Sequence, residues 1–212
     1  MGILNDICEN LQKGKAKVVK ELVEQAINDG VNAKDILEQG MLAGMDIIGE
    51  KFKNNEVYVP EVLIAARAMN TGMEVLKPHL AEAGAKAIGK VVIGTVKGDL
   101  HDIGKNLVRM MLEGKGIEVI DLGVDVSAEQ FLEAFKENNA QIVCCSALLT
   151  TTMNEMKRVV EVFEQAGLRD KATIMIGGAP VTDSYRKSIG ADIYEADAAS
   201  ASDAAKKALL AG

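Results

Sequence analysis

Asp99 and His101 stand two residues apart in Lys97-Gly98-Asp99-Leu100-His101-Asp102-Ile103-Gly104, and the chain has only one other histidine, His79. A carboxylate that takes the Nδ1 proton of an imidazole fixes its tautomer and leaves Nε2 free to bind a metal. Two further segments carry unusual chemistry. Ser146-Ala147-Leu148-Leu149-Thr150-Thr151-Thr152 is rich in hydroxyls, and Gly177-Gly178-Ala179-Pro180 lets backbone approach a bulky ligand closely. The Asp99–His101 spacing also describes a loop histidine bonded to a helix-capping aspartate, and the residue types leave both readings open. Zinc fits less well, because it needs three or four ligands and the histidines and cysteines do not cluster. Cys144 and Cys145 are adjacent in an apolar run, so on a strand they point to opposite faces. With Cys8 they read as small buried residues of a reducing compartment, the cytoplasm. A nucleophile elbow of the G-x-S-x-G type is missing. A phosphoacceptor receiver would need an aspartate where Ser146 follows the third strand.

These segments need a frame that brings them together. From Ile3 to about Leu80 apolar residues recur with helical period. Ile3, Ile7 and Leu11 mark a first helix, and Val18 to Ile27 a second; Gly14 and Gly30 punctuate their ends. Asn32 caps a third that continues through Phe52. Pro60 opens a fourth, which is expected to stop before Pro78. Ala81–Gly89, rich in Ala, Gly and Lys, reads as a linker. Beyond it, short apolar runs at 91–95, 118–122, 142–145 and 173–176, with Ile193-Tyr194, alternate with helical stretches. The expected architecture is α/β: an N-terminal four-helix bundle over 1–84, then a flavodoxin-like, doubly wound, five-stranded parallel sheet over 88–212. Ligands of such sheets bind beyond the carboxyl ends of the strands, at the switch point between strands one and three. The Asp99–His101 and Ser146–Thr152 segments follow those two strands.

Composition narrows the partners. The 212 residues carry a net charge of −7 and show no basic stripe with interleaved aromatics, which argues against nucleic acid. No apolar run approaches the ~20 residues of a membrane span, and the first residues lack signal-peptide features.

Asp99-x-His101-x-x-Gly104, Ser146-x-Leu148 and Gly177-Gly178, in that order and on the expected strand ends, resemble the cobalamin-binding signature of base-off, His-on domains. The helical half is similar to the cap of the family's methyl-transfer branch through Gly49-Glu50-Lys51-Phe52, Val57-Tyr58-Val59-Pro60-Glu61-Val62 and Ala65-Ala66-Arg67-Ala68-Met69. The whole resembles the corrinoid proteins of methanol, methylamine and betaine metabolism and the cobalamin module of methionine synthase. That resemblance implies a cobalamin or related corrinoid with His101 as lower axial cobalt ligand, Asp99 accepting the other ring proton, and Thr152 extending the pair. It implies that Gly98, Asp102, Ile103, Gly104, Ser146, Leu148, Thr150, Thr151, Gly177 and Gly178 meet the cofactor. Phe52 and Val59 would cover its methyl-bearing face, with Val59 standing where many relatives have Leu; both residues fit a bundle core equally well. The implied role is methyl carriage from a substrate-specific methyltransferase to an acceptor methyltransferase of tetrahydrofolate or coenzyme M type, with a reductive activase and no turnover alone. A cobalamin-binding mutase subunit or a cobalamin sensor is the alternative; the helical cap speaks against the first and the absence of a basic recognition helix against the second.

Overall fold

The computed structural model describes residues 2–82 and 87–211. The chain divides into two compact units, residues 1–87 with 114–116, and residues 88–113 with 117–212. The first is helical: α1 (Ile3–Gln12), α2 (Ala16–Asn28), α3 (Ala33–Asp35), α4 (Ala43–Lys53) and α5 (Val59–Glu82). Ile7, Leu11, Val19, Val23, Met41, Met45, Ile48, Val62, Met69 and Leu76 fill its core. Asn32 caps α3, its side chain accepting from the Lys34 N–H at 2.8 Å. Gly14 has φ +65°, and a Cβ there would lie 2.6 Å from Ile64, so the α1–α2 turn requires glycine twice over.

Two features differ from the expectation. The third helix is helical throughout, but residues 36–42 between α3 and α4 form a π-helical segment that buries Ile36, Gly40 and Met41. The wider turn brings Gly40 and Gly44 against α1, where added Cβ atoms would meet Ile7 at 3.2 Å and the Cys8 carbonyl at 3.1 Å. The fourth helix does not stop before Pro78; α5 runs through it to Glu82. Proline removes one bond to the carbonyl four residues back. Here that carbonyl belongs to the exposed Glu74, while Leu76 and Leu80 stay buried on either side of the proline and hold the helix together. The expected Ala81–Gly89 linker is therefore helical to Glu82, and its residues 83–86 lie outside the described residues.

The second unit alternates strand and helix: β1 (Lys90–Thr95), α6 (Ile103–Glu113), β2 (Glu118–Asp121), α7 (Ala128–Asn138), β3 (Ile142–Ser146), α8 (Met153–Gln165), β4 (Thr173–Gly177), α9 (Asp183–Ile189), β5 (Ile193–Tyr194) and α10 (Ala198–Ala211). The described strands form one parallel sheet in the order β2-β1-β3-β4-β5. This is the expected flavodoxin-like order, with its reversal at β1/β3. Continuous apolar strands are buried on both faces. Val92, Val143, Cys145 and Ile174 pack with Phe131, Phe135 and Phe163, whereas Val91, Ile93, Cys144 and Met175 pack with Leu112 and Ala205. The two adjacent cysteines thus face opposite ways. Register aligns Thr95 with Ser146 and Ser146 with Gly177, so three site loops leave the sheet at one level.

Candidate functional site

Past Thr95 the chain turns at Gly98, where φ is +80°, and carries Asp99 beneath the loop. Asp99 is fully buried. Its Oδ1 accepts from the His101 main-chain N–H at 3.1 Å and pairs with His101 Nδ1 at 2.7 Å. Its Oδ2 accepts from the N–H groups of Leu148 (2.8 Å) and Leu149 (3.2 Å) and from Thr152 Oγ1 (2.9 Å). Burial alone would raise the pKa of this carboxyl, but the bonds from Leu148, His101 and Thr152 outweigh it and hold the group well below the usual carboxylate range. An ionised Asp99 makes Nδ1 the protonated ring nitrogen. Nε2 is then the available lone pair, on a side chain that is 51% exposed.

The β1–α6 and β3–α8 loops therefore converge on one carboxylate, and hydrogen bonds join Asp99, His101 and Thr152. Thr152 occupies the N-cap position of α8 without capping it; its hydroxyl instead shares its one proton between Asp99 Oδ2 and the Leu149 carbonyl, each 2.9 Å away. Leu148 bears on Asp99 through its main chain, and Leu149 does the same without having been singled out in the sequence. Asp102 and Ile103 are exposed, and Gly104 opens onto empty space. Ser146 is half-buried, with Thr150 and Thr151 exposed beyond it. Phe52 and Val59 lie in the helical unit, in α4 and at the start of α5, each half-buried there.

Several supporting residues escaped sequence reading. Asp121 closes β2 and is bound by the buried Lys105 through both oxygens at 2.6 Å, by Arg109 Nη1 at 3.2 Å and by the Gly123 N–H at 2.9 Å. Burial pushes the Asp121 pKa up, yet the Lys105 bond, the Gly123 N–H and the charges of Lys105 and Arg109 together outweigh it, and the carboxyl lies below its ordinary value. An apolar rim surrounds the histidine-bearing loops: Leu100 is 71% exposed, Ile103 78%, Leu148 43% and Leu149 41%. So much bare aliphatic surface at the ends of a parallel sheet fits a broad, largely apolar ligand. Among the described residues, no group of three or more His, Cys, Asp or Glu could hold a metal ion. A metal at His101 must bring most of its ligands with it, as cobalt in a macrocycle does.

Comparison with known proteins agrees with this geometry. Residues 89–206 match the B12 binding domain model, and residues 3–77 match a second B12 binding domain model. Trimethylamine corrinoid protein 1 of Methanosarcina acetivorans is 44% identical over 180 residues, covering 84% of this chain and 83% of its own. The chain belongs to the corrinoid proteins of methyltransferase systems. Dimethylamine corrinoid protein 3 of the same organism is 40% identical over 209 residues, covering 99% and 98%. Among solved structures, the methanol:cobalamin methyltransferase complex of Methanosarcina barkeri matches with a TM-score of 0.90 at 30% identity, covering 99% of this chain and 80% of that one. A cobalamin-binding protein of Desulfitobacterium hafniense gives 0.80 at 31%, covering 97% and 98%. Among the described residues, no helix is long and apolar enough to cross a membrane.

Gly177, the last residue of β4, and Gly178, which follows it, have different reasons to be glycine. A Cβ on Gly178, whose φ is +132°, would sit 1.8 Å from the Ala147 carbonyl oxygen, so the residue is required by the fold. A Cβ on Gly177 would meet nothing within 4 Å. Gly178→Ala is expected to lose about 3 kcal/mol of stability or more. Gly177→Ala should melt like the wild type and bind corrinoid more weakly. Melting temperature and hydroxocobalamin titration, read on both variants, separate the two.

Proposed function

We propose that this chain is a methyl carrier that binds its corrinoid base-off with His101 as the lower cobalt ligand. The observation that carries this is the ring of His101, tied at Nδ1 to a fully buried carboxylate and open at Nε2 at the β1/β3 switch point. The bound corrinoid supplies a cobalt that takes up a methyl group and gives it away. The protein's own residues bind and orient. Asp99 keeps the ring proton on Nδ1, so that in the neutral ring Nε2 carries the lone pair for the metal. Thr152 and the Leu148 and Leu149 N–H groups hold Asp99 ionised. Gly98, Asp102, Ile103 and Gly104 on one side, and Ser146, Leu148, Thr150 and Thr151 on the other, line the approach, while Gly177, with the fold-required Gly178 beside it, leaves room for the cofactor's nucleotide tail. Phe52 and Val59 are the proposed apolar cover of the reactive side. Residues 1–84 would then act as a cap domain and 88–212 as the cofactor-binding domain.

The identity to trimethylamine and dimethylamine corrinoid proteins supports a methylamine methyltransferase as donor-side partner. An acceptor methyltransferase using tetrahydrofolate or a coenzyme M type thiol, and a reductive activase, complete the proposed set. The buried free thiols of Cys8, Cys144 and Cys145 suit a cytoplasmic setting.

The test is spectroscopic. Hydroxocobalamin bound to the protein and reduced to the cobalt(II) state should show the splitting of one axial nitrogen. Labelling the protein with ¹⁵N-histidine should change that splitting. A splitting indifferent to the label would mean that the cofactor's own base remains on cobalt, and would end the His-on reading.

A further inference from the structure

Besides the turn bond from the Asp99 N–H to the Val96 carbonyl (3.1 Å) and the first bond of α6, from the Asn106 N–H to the Asp102 carbonyl (2.8 Å), Thr95 and Asp125 hold the main chain of the Asp99–Gly104 segment from outside it. Thr95 ends β1 with its side chain fully buried, and its Oγ1 donates to the His101 carbonyl at 2.9 Å. The His101 N–H is already given to Asp99 Oδ1. Both main-chain groups of the histidine are therefore taken by side chains. Asp125, in the loop between β2 and α7, works from the other end. Its Oδ1 accepts from the Gly98 N–H at 2.7 Å, and its own N–H donates to the Asp99 carbonyl at 3.1 Å. It does so at φ +56°, a left-handed conformation that aspartate tolerates better than most residues but that is uncommon outside glycine. Such conformations persist where the surroundings over-determine them. The surroundings here are the bonds from the Thr95 N–H to the Gly123 carbonyl and from the Val126 N–H to the Thr95 carbonyl, both 2.9 Å, which seat this loop on the end of β1.

The loop needs such restraint. Leu100, His101, Asp102 and Ile103 are all exposed, so little side-chain packing fixes the segment. Hydrogen bonds to its main chain remain, and beyond those of Asp99 and Val96 they come from Thr95 below and Asp125 beside it. We propose that Thr95 and Asp125 are positioning residues that set the ring of His101 for its ligand before any cofactor arrives. The proposal rests on the reading of His101 as the cobalt ligand.

The test compares wild type with Thr95→Val and Asp125→Gly, and with Thr95→Ser and Asp125→Asn as conservative rescues, all in the full chain. Hydroxocobalamin is the probe. Affinity, the histidine-nitrogen splitting after reduction to cobalt(II), and melting temperature are read on each, and Gly98 amide exchange is read in the cofactor-free protein. Thr95→Val and Asp125→Gly are expected to bind about tenfold more weakly and to show a diminished splitting, with Ser and Asn restoring both. In Asp125→Gly the melting temperature should hold or rise, because glycine suits the positive φ, while the Gly98 amide exchanges about tenfold faster. If Thr95→Val does not fold, the exposed Asp125 decides the matter alone. Variants that match wild type in affinity and splitting would overturn the proposal. An Asp125→Asn protein as weak as Asp125→Gly would overturn it too, because charge and not the held amide would then be responsible. Wild-type protein lacking the histidine splitting removes the ligand reading and the proposal with it, whereas a normal wild type with unaltered variants removes the proposal alone.

Discussion

Asp99→Asn is expected to weaken corrinoid binding by about 10–100-fold, although the two side chains are nearly the same size. The reason lies in what surrounds the carboxylate. On one side stand the N–H groups of Leu148 and Leu149 and the Thr152 hydroxyl; on the other stand the N–H of His101 and its ring. Main-chain N–H groups cannot become acceptors, so an amide turned toward Leu148 and Leu149 would face two donors. Turned the other way, its NH₂ faces one main-chain donor and a ring nitrogen that can change tautomer. The second arrangement costs less, about 1–3 kcal/mol for the orphaned His101 N–H. It also moves the ring proton to Nε2, where it blocks the metal. Ring ¹⁵N shifts of the cofactor-free variant should report the altered tautomer, alongside a lower melting temperature. The stability gap depends on pH. Asp99 titrates below its ordinary 3.8 in the folded protein, so its contribution is complete above that value and is lost as pH falls toward the folded value. Wild type and variant should therefore converge in stability below about pH 4. An Asn variant with an unchanged ring tautomer and normal binding would show that the carboxylate does not govern the ring.

His101→Ala should have the opposite profile, with the larger binding loss and only a small cost to the fold. The His101 side chain is half exposed, and its ring pairs with Asp99. Losing the ring's bond to Asp99 should cost about 1 kcal/mol, because water reaches this exposed position. Asp99 keeps its other donors, including the main-chain N–H of residue 101. Removing the ligand itself should cost at least the upper end of what losing its partner costs, about a hundredfold in affinity. The histidine-dependent nitrogen splitting should vanish. Retained splitting would point to another nitrogen on cobalt and would refute the assignment of His101.

The parallel sheet and its strand order were readable because each strand is a short apolar run and the helices between them keep a period near 3.6. The two loops that meet at Asp99 followed from the switch-point rule together with the rarity of histidine. What stayed hidden was hidden for physical reasons. Pro78 is a breaker by its own chemistry, and only the burial of Leu76 and Leu80 on either side keeps α5 helical. The π-helical turn leaves no mark in residue spacing beyond Gly40 and Gly44. Thr95 looks like any strand-end threonine, and Asp125 like a loop aspartate, because their roles depend on which main-chain groups lie opposite. Gly177 and Gly178 look alike in sequence, and the positive φ of Gly178 and the position of the Ala147 carbonyl tell them apart.

Three of the groups that bind Asp99 are main-chain amides, of His101, Leu148 and Leu149. Amides come with every residue except proline. The side chains of Leu100, Leu148 and Leu149 are consequently free of any duty toward the carboxylate, and they point outward into the apolar rim. Rim and anchor are separable inheritances. On the proposed reading, mutation can recut the rim to suit corrinoids with different tails, one side chain at a time, while the His101 ring stays where the backbone puts it.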